Sequence, residues 1–364
     1  MLNIIAFVIL GLIIVVLPLS VSLGRSIRKD RCDKKLDNIY NGEGTKITLL
    51  NDSSDNQYRL RDYYIKSSYN SCCCGDFSDS FVSYNALKVL ISQGVRFFDF
   101  EIYSVKGKSV IAASKDDNFN IKGTLNHLPI INVFKLLNQK ACNENVTGTI
   151  CPNPTDPLFI NLRIKSNQND IFQQIGSALD IFSDKLLHKK HRKYASSCQG
   201  YSLGNEGLLC LKNSVIIICD KPSRELPPEL KEAVNMNSNS SFLQSLRYSN
   251  AVHSDLNELK TYNKKNMSII MPDYNTLALN DGGWDILHNN GCQFICMNFQ
   301  TDNGNLKNYL NIFEDKLSAF VLKPECLRYK PTYIKIPDEN IIAPPETSYG
   351  PRSFEVPGDS NLLF

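Results

Sequence analysis

The hydrophobic pattern begins with a long apolar run. Residues Ile4 to Leu23 include no charged side chain, and about 20 apolar residues in a helix span the ~30 Å hydrocarbon core of a bilayer. The pattern predicts a single-pass transmembrane anchor over residues 1–24. A cleaved signal peptide is the alternative, but it requires a basic segment first, and residues 1–3 carry no basic side chain.

Residues 25–61 are polar with isolated apolar positions, which predicts a stalk. From Asp62 onward, short apolar strands alternate with amphipathic helices, the pattern of a parallel sheet buried on both faces. About seven or eight such strands predict a closed, TIM-like (β/α)8 barrel. The predicted strands are 95–103, 109–113, 157–163, 214–219, 268–271, 292–299 and 319–323. The predicted helices are 80–93, 130–139, 170–187, 255–264 and 305–316.

Two further segments interrupt this alternation. Residues 223–246 are rich in Ser, Asn and Pro, which predicts a linker between two halves of the barrel, 62–222 and 247–330. Residues 331–364 are rich in proline and end in apolar side chains. This tail cannot form a compact core, so we expect it to be disordered or to dock on a protein partner.

Composition and charge narrow the function classes. A net charge of +3, 42% hydrophobic and 21% charged residues are typical of a folded protein and argue against a nucleic-acid binder. Basic residues cluster between Arg25 and Lys35, which favours a cytoplasmic main domain.

The 12 cysteines favour the opposite side of a membrane, where disulfides persist. Cys142 with Cys151, and Cys198 with Cys210, each bracket a loop that a disulfide could close. The run 72–74 lacks the spacing of zinc ligands and is interpreted as buried thiols or disulfide partners. Membrane topology therefore stays open.

Two segments resemble phosphoinositide-specific phospholipase C. Residues 289–328 are similar to its Y half, in Gly291-Cys292-Gln293, Asn298-Phe299-Gln300-Thr301 and Val321-Leu322-Lys323-Pro324. Residues 64–71 (YIKSSYNS) resemble the start of its X half, followed by the carboxylate strand 98–101. The resemblance covers about residues 60 to 330 and implies the phospholipase C barrel.

The resemblance also implies a reaction that this chain lacks the groups to perform. Family members use two histidines to move protons near a calcium ion, because imidazole titrates near neutral pH. Tyr69 stands at the first histidine position and Ala113 at the second. A phenol with a pKa near 10 is a poor proton carrier at pH 7, and alanine has no ionisable group.

The calcium ligands implied by the resemblance are altered as well. Asn70 is retained, and Asp99 and Glu101 match the family's Glu and Asp with the two types exchanged. As residues i and i+2 of a strand, they point to one face. Arg163 stands where the family has a glutamate ligand. We therefore expect no bound cofactor and hypothesise that the Arg163 guanidinium replaces the metal charge by pairing with Asp99 or Glu101.

The phosphate-binding positions are also substituted. The family's lysines align near Ile218 and Asp220, with Lys221 beside them, and its arginine and tyrosine align with Ile269 and Met271. We therefore interpret the chain as a degenerate phospholipase C, a pseudoenzyme that acts as a scaffold. The alternative is an active phosphoric diester hydrolase with relocated catalytic groups, for which His253 and His288 are candidates.

The expected partners and location follow from the termini. The anchor predicts contact with a lipid bilayer, and the tail predicts contact with membrane or capsid proteins, with no nucleic acid. The short X and Y halves, the anchor and the Asn/Lys/Ile-rich composition resemble membrane proteins of large DNA viruses. This resemblance implies a viral protein in the virion membrane.

Overall fold

The computed structural model describes residues 2–40, 44–143, 150–190, 202–220, 226–274, 283–330, 353–356 and 359–363. The chain forms two compact units, Met1–Tyr329 and Lys330–Phe364. The strands are β1 Tyr63–Ser68, β2 Phe97–Val105, β3 Lys108–Ala112, β4 Leu128–Pro129, β5 Leu158–Lys165, β6 Val215–Cys219, β7 Val234–Asn237, β8 Leu243–Arg247, β9 Met267–Met271, β10 Phe294–Met297, β11 Phe320–Leu322, β12 Ser353–Val356 and β13 Asp359–Leu363. The α-helices are α1 Leu2–Tyr40, α2 Tyr84–Ser92, α3 Ile130–Ala141, α4 Asn169–Leu179, α5 Leu187–Lys190, α6 Pro228–Ala233, α7 Tyr248–His253, α8 Leu256–Lys265, α9 Trp284–Asn289 and α10 Gly304–Asp315.

Eight strands of the first unit form a parallel sheet in the order β7-β6-β5-β2-β1-β10-β9-β8. β11 adds to β1 antiparallel, and β3 and β4 extend β2 as an antiparallel ribbon. Within the described residues, β7 and β8 form no ladder with each other. The predicted barrel is therefore confirmed as a parallel, nearly closed α/β barrel.

The barrel interior is layered because side chains alternate along each strand. At the amino-terminal end, Phe97 of β2 and Phe159 of β5 pack against Phe294 of β10, with ring centroids 4.8 and 5.3 Å from it. Two residues further along β2 and β5, the inward positions become polar. The phenylalanines thus close one end of the barrel and leave the other end for a polar site.

The N-terminal region differs from the stalk that the sequence predicts, because helix α1 continues to Tyr40. Its last turns pack on the barrel, where Leu36 is buried against Cys74 and Phe81. Residues 44–61 also contact the barrel, with Ile47, Leu50 and Leu60 in the main core. Their isolated apolar side chains suffice for this packing because they meet the apolar residues of the main core.

The predicted transmembrane anchor finds no support in the structure. Among the residues that the structure describes, no helix combines the length and the apolar character needed to cross a membrane.

The predicted linker 223–246 contains regular structure from Pro228 onward. Helix α6, strand β7 and most of β8 lie within it, and Val234, Met236 and Leu243 are buried. These alternating apolar side chains outweigh the Ser- and Asn-rich composition between them.

The second unit contains an antiparallel pair, β12 with β13, in which Phe354 pairs with Leu362. The rest of the predicted proline-rich tail, including 331–352, lies outside the described residues. Cys142 and Cys151 are buried free thiols rather than the disulfide that the sequence suggested. The other suggested pair includes Cys198, which also lies outside the described residues.

Candidate functional site

The candidate site lies inside the barrel, within β2 and β5 and just after the carboxyl end of β1. The parallel register pairs Asp99 with Asn161 and Glu101 with Arg163. Asn70 follows β1 in a left-handed backbone conformation, with φ of 41°, which asparagine tolerates better than most residues. The structure thus brings together Asn70, Asp99, Glu101 and Arg163, the four residues that the sequence placed at the altered metal site.

The Arg163 guanidinium occupies the centre of this group. Its Nε and one terminal nitrogen donate to the two carboxylate oxygens of Asp99 at 2.9 and 2.6 Å. The same terminal nitrogen donates to Asn70 Oδ1 at 2.7 Å, and the other donates to Glu101 Oε1. Arg163 therefore pairs with both carboxylates, whereas the sequence hypothesis named Asp99 or Glu101.

The remaining carboxylate oxygens also have partners. Asp99 Oδ1 accepts from the Asn161 amide at 2.8 Å, and Oδ2 accepts from the Asn70 backbone N–H at 3.0 Å. Glu101 Oε2 accepts from the Tyr103 hydroxyl at 2.9 Å and from the Ser114 N–H at 2.8 Å. Because every acid oxygen is hydrogen-bonded, the two buried charges are compatible with the barrel interior.

Burial and the neighbouring charges shift the pKa of Arg163 in opposite directions. Its side chain is 1% exposed. Burial alone lowers the pKa of the guanidinium, but the carboxylates of Asp99 and Glu101 outweigh it and hold the pKa well above its ordinary value. Arginine therefore stays protonated here at any ordinary pH.

The calcium ion that the resemblance implies does not fit this arrangement. Calcium takes six to eight oxygen ligands at 2.3–2.6 Å, whereas the oxygens of Asn70, Asp99 and Glu101 surround the guanidinium. Within the described residues, no three His, Cys, Asp or Glu side chains form a group suited to a metal ion. A cation and a guanidinium at one position would repel each other.

The two predicted catalytic positions line the same end of the barrel. The Tyr69 ring lies 4.7 Å from the Arg163 guanidinium carbon, and its hydroxyl accepts a hydrogen bond from Arg247 at 3.2 Å. Burial raises the pKa of the Tyr69 phenol despite the nearby arginines. Ala113 is fully buried, with its backbone N–H donating to the Thr124 hydroxyl.

A polar cavity of about 410 Å³ has Arg163 and Arg247 in its lining. On one wall, Arg247 stacks over the Tyr274 ring at 3.5 Å. Asp117 connects this wall to β5, because it accepts a hydrogen bond from Tyr274 at 2.6 Å and pairs with Lys165. Sequence reasoning missed these four residues. Lys165 had a signal, since it lies two residues after Arg163 and shares its strand face.

Similar solved structures show what fold surrounds this site. One is L. pealei PLC21, with a TM-score of 0.60 and 17% identity over 75% of this chain and 38% of that chain. Another is S. officinalis PLC21, with a TM-score of 0.62 and 16% identity over 78% of this chain and 39% of that chain. The barrel has the phospholipase C fold. This chain thus spans less than half of the length of either cephalopod protein.

The remaining comparisons do not strengthen the likeness to the phospholipase C fold. The phosphatidylinositol-specific phospholipase C of Listeria monocytogenes matches at 12% identity and a TM-score of 0.45, over 73% of this chain and 98% of that one. No protein-family model and no curated protein sequence matches this chain. The phospholipase C fold therefore rests on the structural likeness.

Within this phospholipase C fold, the predicted phosphate-binding positions do not form one cationic group. Ile218 and Ile269 are fully buried apolar side chains. Asp220 and Met271 line the cavity, and burial raises the pKa of the Asp220 carboxyl. Lys221 lies outside the described residues.

The histidines considered for a relocated active site lie elsewhere. His253 contacts the Ser249 carbonyl through Nδ1 at 2.7 Å, and His288 stacks on the Tyr64 ring with centroids 4.0 Å apart. Neither is among the described residues that line the cavity.

Proposed function

We propose that this chain is a phospholipase C-like protein without phosphodiesterase activity, which serves as a binding or structural scaffold. The observation that carries the proposal is the position of the Arg163 guanidinium between Asp99 and Glu101. There it supplies the positive charge that a metal would supply, but it offers no open coordination position to polarise a phosphate.

The residues at the predicted catalytic positions support the same proposal. Hydrolysis requires groups that accept and donate a proton near neutral pH. Burial raises the pKa of Tyr69, whose hydroxyl is bonded to Arg247, and Ala113 offers no side-chain donor or acceptor. A retained fold with these substitutions favours a role carried by the protein surface rather than by bond cleavage.

The finer parts of the proposal come from the sequence. We propose that residues 331–364 bind protein partners and that the natural setting is the virion of a large DNA virus. The activity of the two cephalopod proteins is not transferred to this chain, because the likeness is below 20% identity and covers 38–39% of their length.

Calcium binding and hydrolysis test the proposal together. The purified chain should release no inositol phosphate from phosphatidylinositol vesicles beyond a protein-free control, with or without calcium. Its melting temperature should be the same in calcium and in chelator. Hydrolysis by the unmodified chain above that of Tyr69→Phe, or stabilisation of the unmodified chain by calcium, would overturn the proposal.

Substitution of Arg163 tests the electrostatic argument more sharply. In Arg163→Glu, three carboxylates and Asn70 would surround an unfilled position, so calcium should raise the melting temperature of this variant. Lys165→Glu is the matched control, because it adds the same charge two residues along β5. If both variants respond to calcium alike, Arg163 does not occupy a metal position.

A further inference from the structure

Helix α1 is attached to the barrel through the loop that follows β1. Asp33 accepts a hydrogen bond from Ser83 at 2.5 Å, and Asp37 accepts one from Asn85 at 2.7 Å. At the end of the helix, the Tyr40 hydroxyl donates to the Phe299 carbonyl at 2.8 Å. These contacts fix the face of α1 that lies against the loop.

Two cysteines meet within this contact. Cys32 of α1 packs in the small apolar cluster that contains the buried Cys74, and its sulfur lies 3.5 Å from the position that a Cβ on the adjacent Gly75 would take. Both cysteines are free thiols, and Cys32 is the more accessible of the two.

We propose that Cys32 and Cys74 are a redox-active pair that forms a disulfide and covalently attaches helix α1 to the first loop of the barrel. A disulfide requires two side chains that already approach each other, with Cα atoms within about 7 Å. The hydrogen bonds of Asp33 and Asp37 keep the two elements in register. The pair joins positions about 40 residues apart, so the bond constrains the unfolded chain strongly.

The exchange with glutathione disulfide balances in two steps. The Cys32 thiolate attacks one sulfur of glutathione disulfide, which breaks its S–S bond, forms a mixed disulfide on Cys32 and releases one glutathione thiolate. The Cys74 thiol loses its proton to that thiolate or to water and attacks the Cys32 sulfur. A second glutathione leaves, so two protein thiols are oxidised and one glutathione disulfide is reduced to two thiols.

Peptide mapping of the full chain tests the pair. The protein is equilibrated in glutathione buffers of increasing oxidised fraction, alkylated and digested with trypsin without reductant. We expect residues 32–34 linked to residues 67–88, the tryptic peptides that contain Cys32 and Cys74. Oxidation should also raise the melting temperature of the unmodified chain, while Cys32→Ser should melt at one temperature in both buffers.

Two variants make the assignment specific, because Cys72 and Cys73 share the second peptide. Cys74→Ala should lose the link and accumulate glutathione on Cys32, and Cys210→Ser, which removes an exposed cysteine, should keep the link. The proposal is overturned if the link persists in Cys74→Ala, if the unmodified chain stops at the glutathione adduct, or if no linked peptide forms at any buffer composition.

Discussion

Every nitrogen of the Arg163 side chain donates to the site. Nε bonds Asp99, one terminal nitrogen bonds Glu101, and the other bonds Asn70 and Asp99. A buried ion pair adds little stability when compared with apolar residues, because desolvation offsets the attraction. Removal of one partner is different, since the charge that remains has lost its compensation. The consequence for Arg163 is a large dependence of folding on a single side chain.

We expect Arg163→Met to lower the free energy of unfolding by about 3–5 kcal/mol, because Asp99 and Glu101 would face each other without a cation. Urea denaturation at pH 7 measures this change.

Neutralising the acids provides the control. In Arg163→Met combined with Asp99→Asn and Glu101→Gln, much of the lost stability should return, because no unpaired charge remains. A triple variant no more stable than Arg163→Met would show that packing of the arginine side chain, and not charge, dominates.

At the scale of elements, helix α1 divides into two parts. Leu36 is 2% exposed within the contact to the barrel, whereas Leu17 of the same helix is 58% exposed. Leucine at position 36 therefore stabilises the packing of α1 on the barrel, whereas leucine at position 17 does not contribute to this contact. The polar composition of residues 25–61 concealed this difference, because a few apolar side chains at the right spacing carry the packing.

We expect Leu36→Ala to loosen the docked end of α1 and to increase the rate of tryptic cleavage at Lys34 and Lys35 several-fold, because truncation of a buried leucine costs about 2–5 kcal/mol. Time-resolved limited proteolysis measures the rate. Leu17→Ala is the matched control and should be cleaved at the rate of the unmodified chain. Equal acceleration in both variants would place the stabilising contact elsewhere.

Strand periodicity predicted the elements that lie in the middle of the sheet. β2 and β5 are rich in apolar residues and buried over most of their length, and the i, i+2 rule alone placed Asp99 and Glu101 on one face. β7 and the start of β8 were assigned to a linker, since they are short and separated by Ser and Asn. In residues 223–246, the Ser- and Asn-rich composition correctly indicates the loops but not the strands between them.

At the scale of the molecule, the resemblance in two segments was enough to predict the barrel fold but not the residues that line its polar cavity. Arg247, Tyr274, Asp117 and Lys165 come from four separate parts of the chain. Lys165 and Arg247 end strands β5 and β8, and their contacts with Asp117 and Tyr274 depend on how the loops after the strands fold back. Asp99, Glu101 and Arg163 were accessible to sequence reasoning, whereas no spacing in the sequence places Asp117 and Tyr274 beside them.

The pH dependence of global stability should report a buried lysine. Burial lowers the pKa of Lys323 to about 7 from 10.5, although Cys292 and Asp62 oppose the shift. Between pH 7 and 10.5 the unfolded chain therefore binds more protons than the folded one. The contribution of Lys323 then makes stability rise with pH, by at most about 1.4 kcal/mol per pH unit.

Comparison with Lys323→Met isolates this contribution, since other titrating groups are common to both proteins. Chemical denaturation at pH 7, 8, 9 and 10 should show the unmodified chain gaining stability relative to the variant at each step. If the free energies of unfolding of the two proteins changed with pH in parallel, the pKa of Lys323 would not be lowered in the folded chain. In the structure, Lys323 Nζ donates a hydrogen bond to the Asn263 backbone carbonyl at 3.1 Å.

The ion pair of Arg163 has one more consequence. A metal ion exchanges with solution, so the charge it contributes varies with the ion's concentration and disappears when a chelator competes for it. The guanidinium is joined to the backbone and cannot leave. The positive charge between Asp99 and Glu101 is therefore set by the amino-acid sequence and does not vary with the concentration of any metal ion in solution.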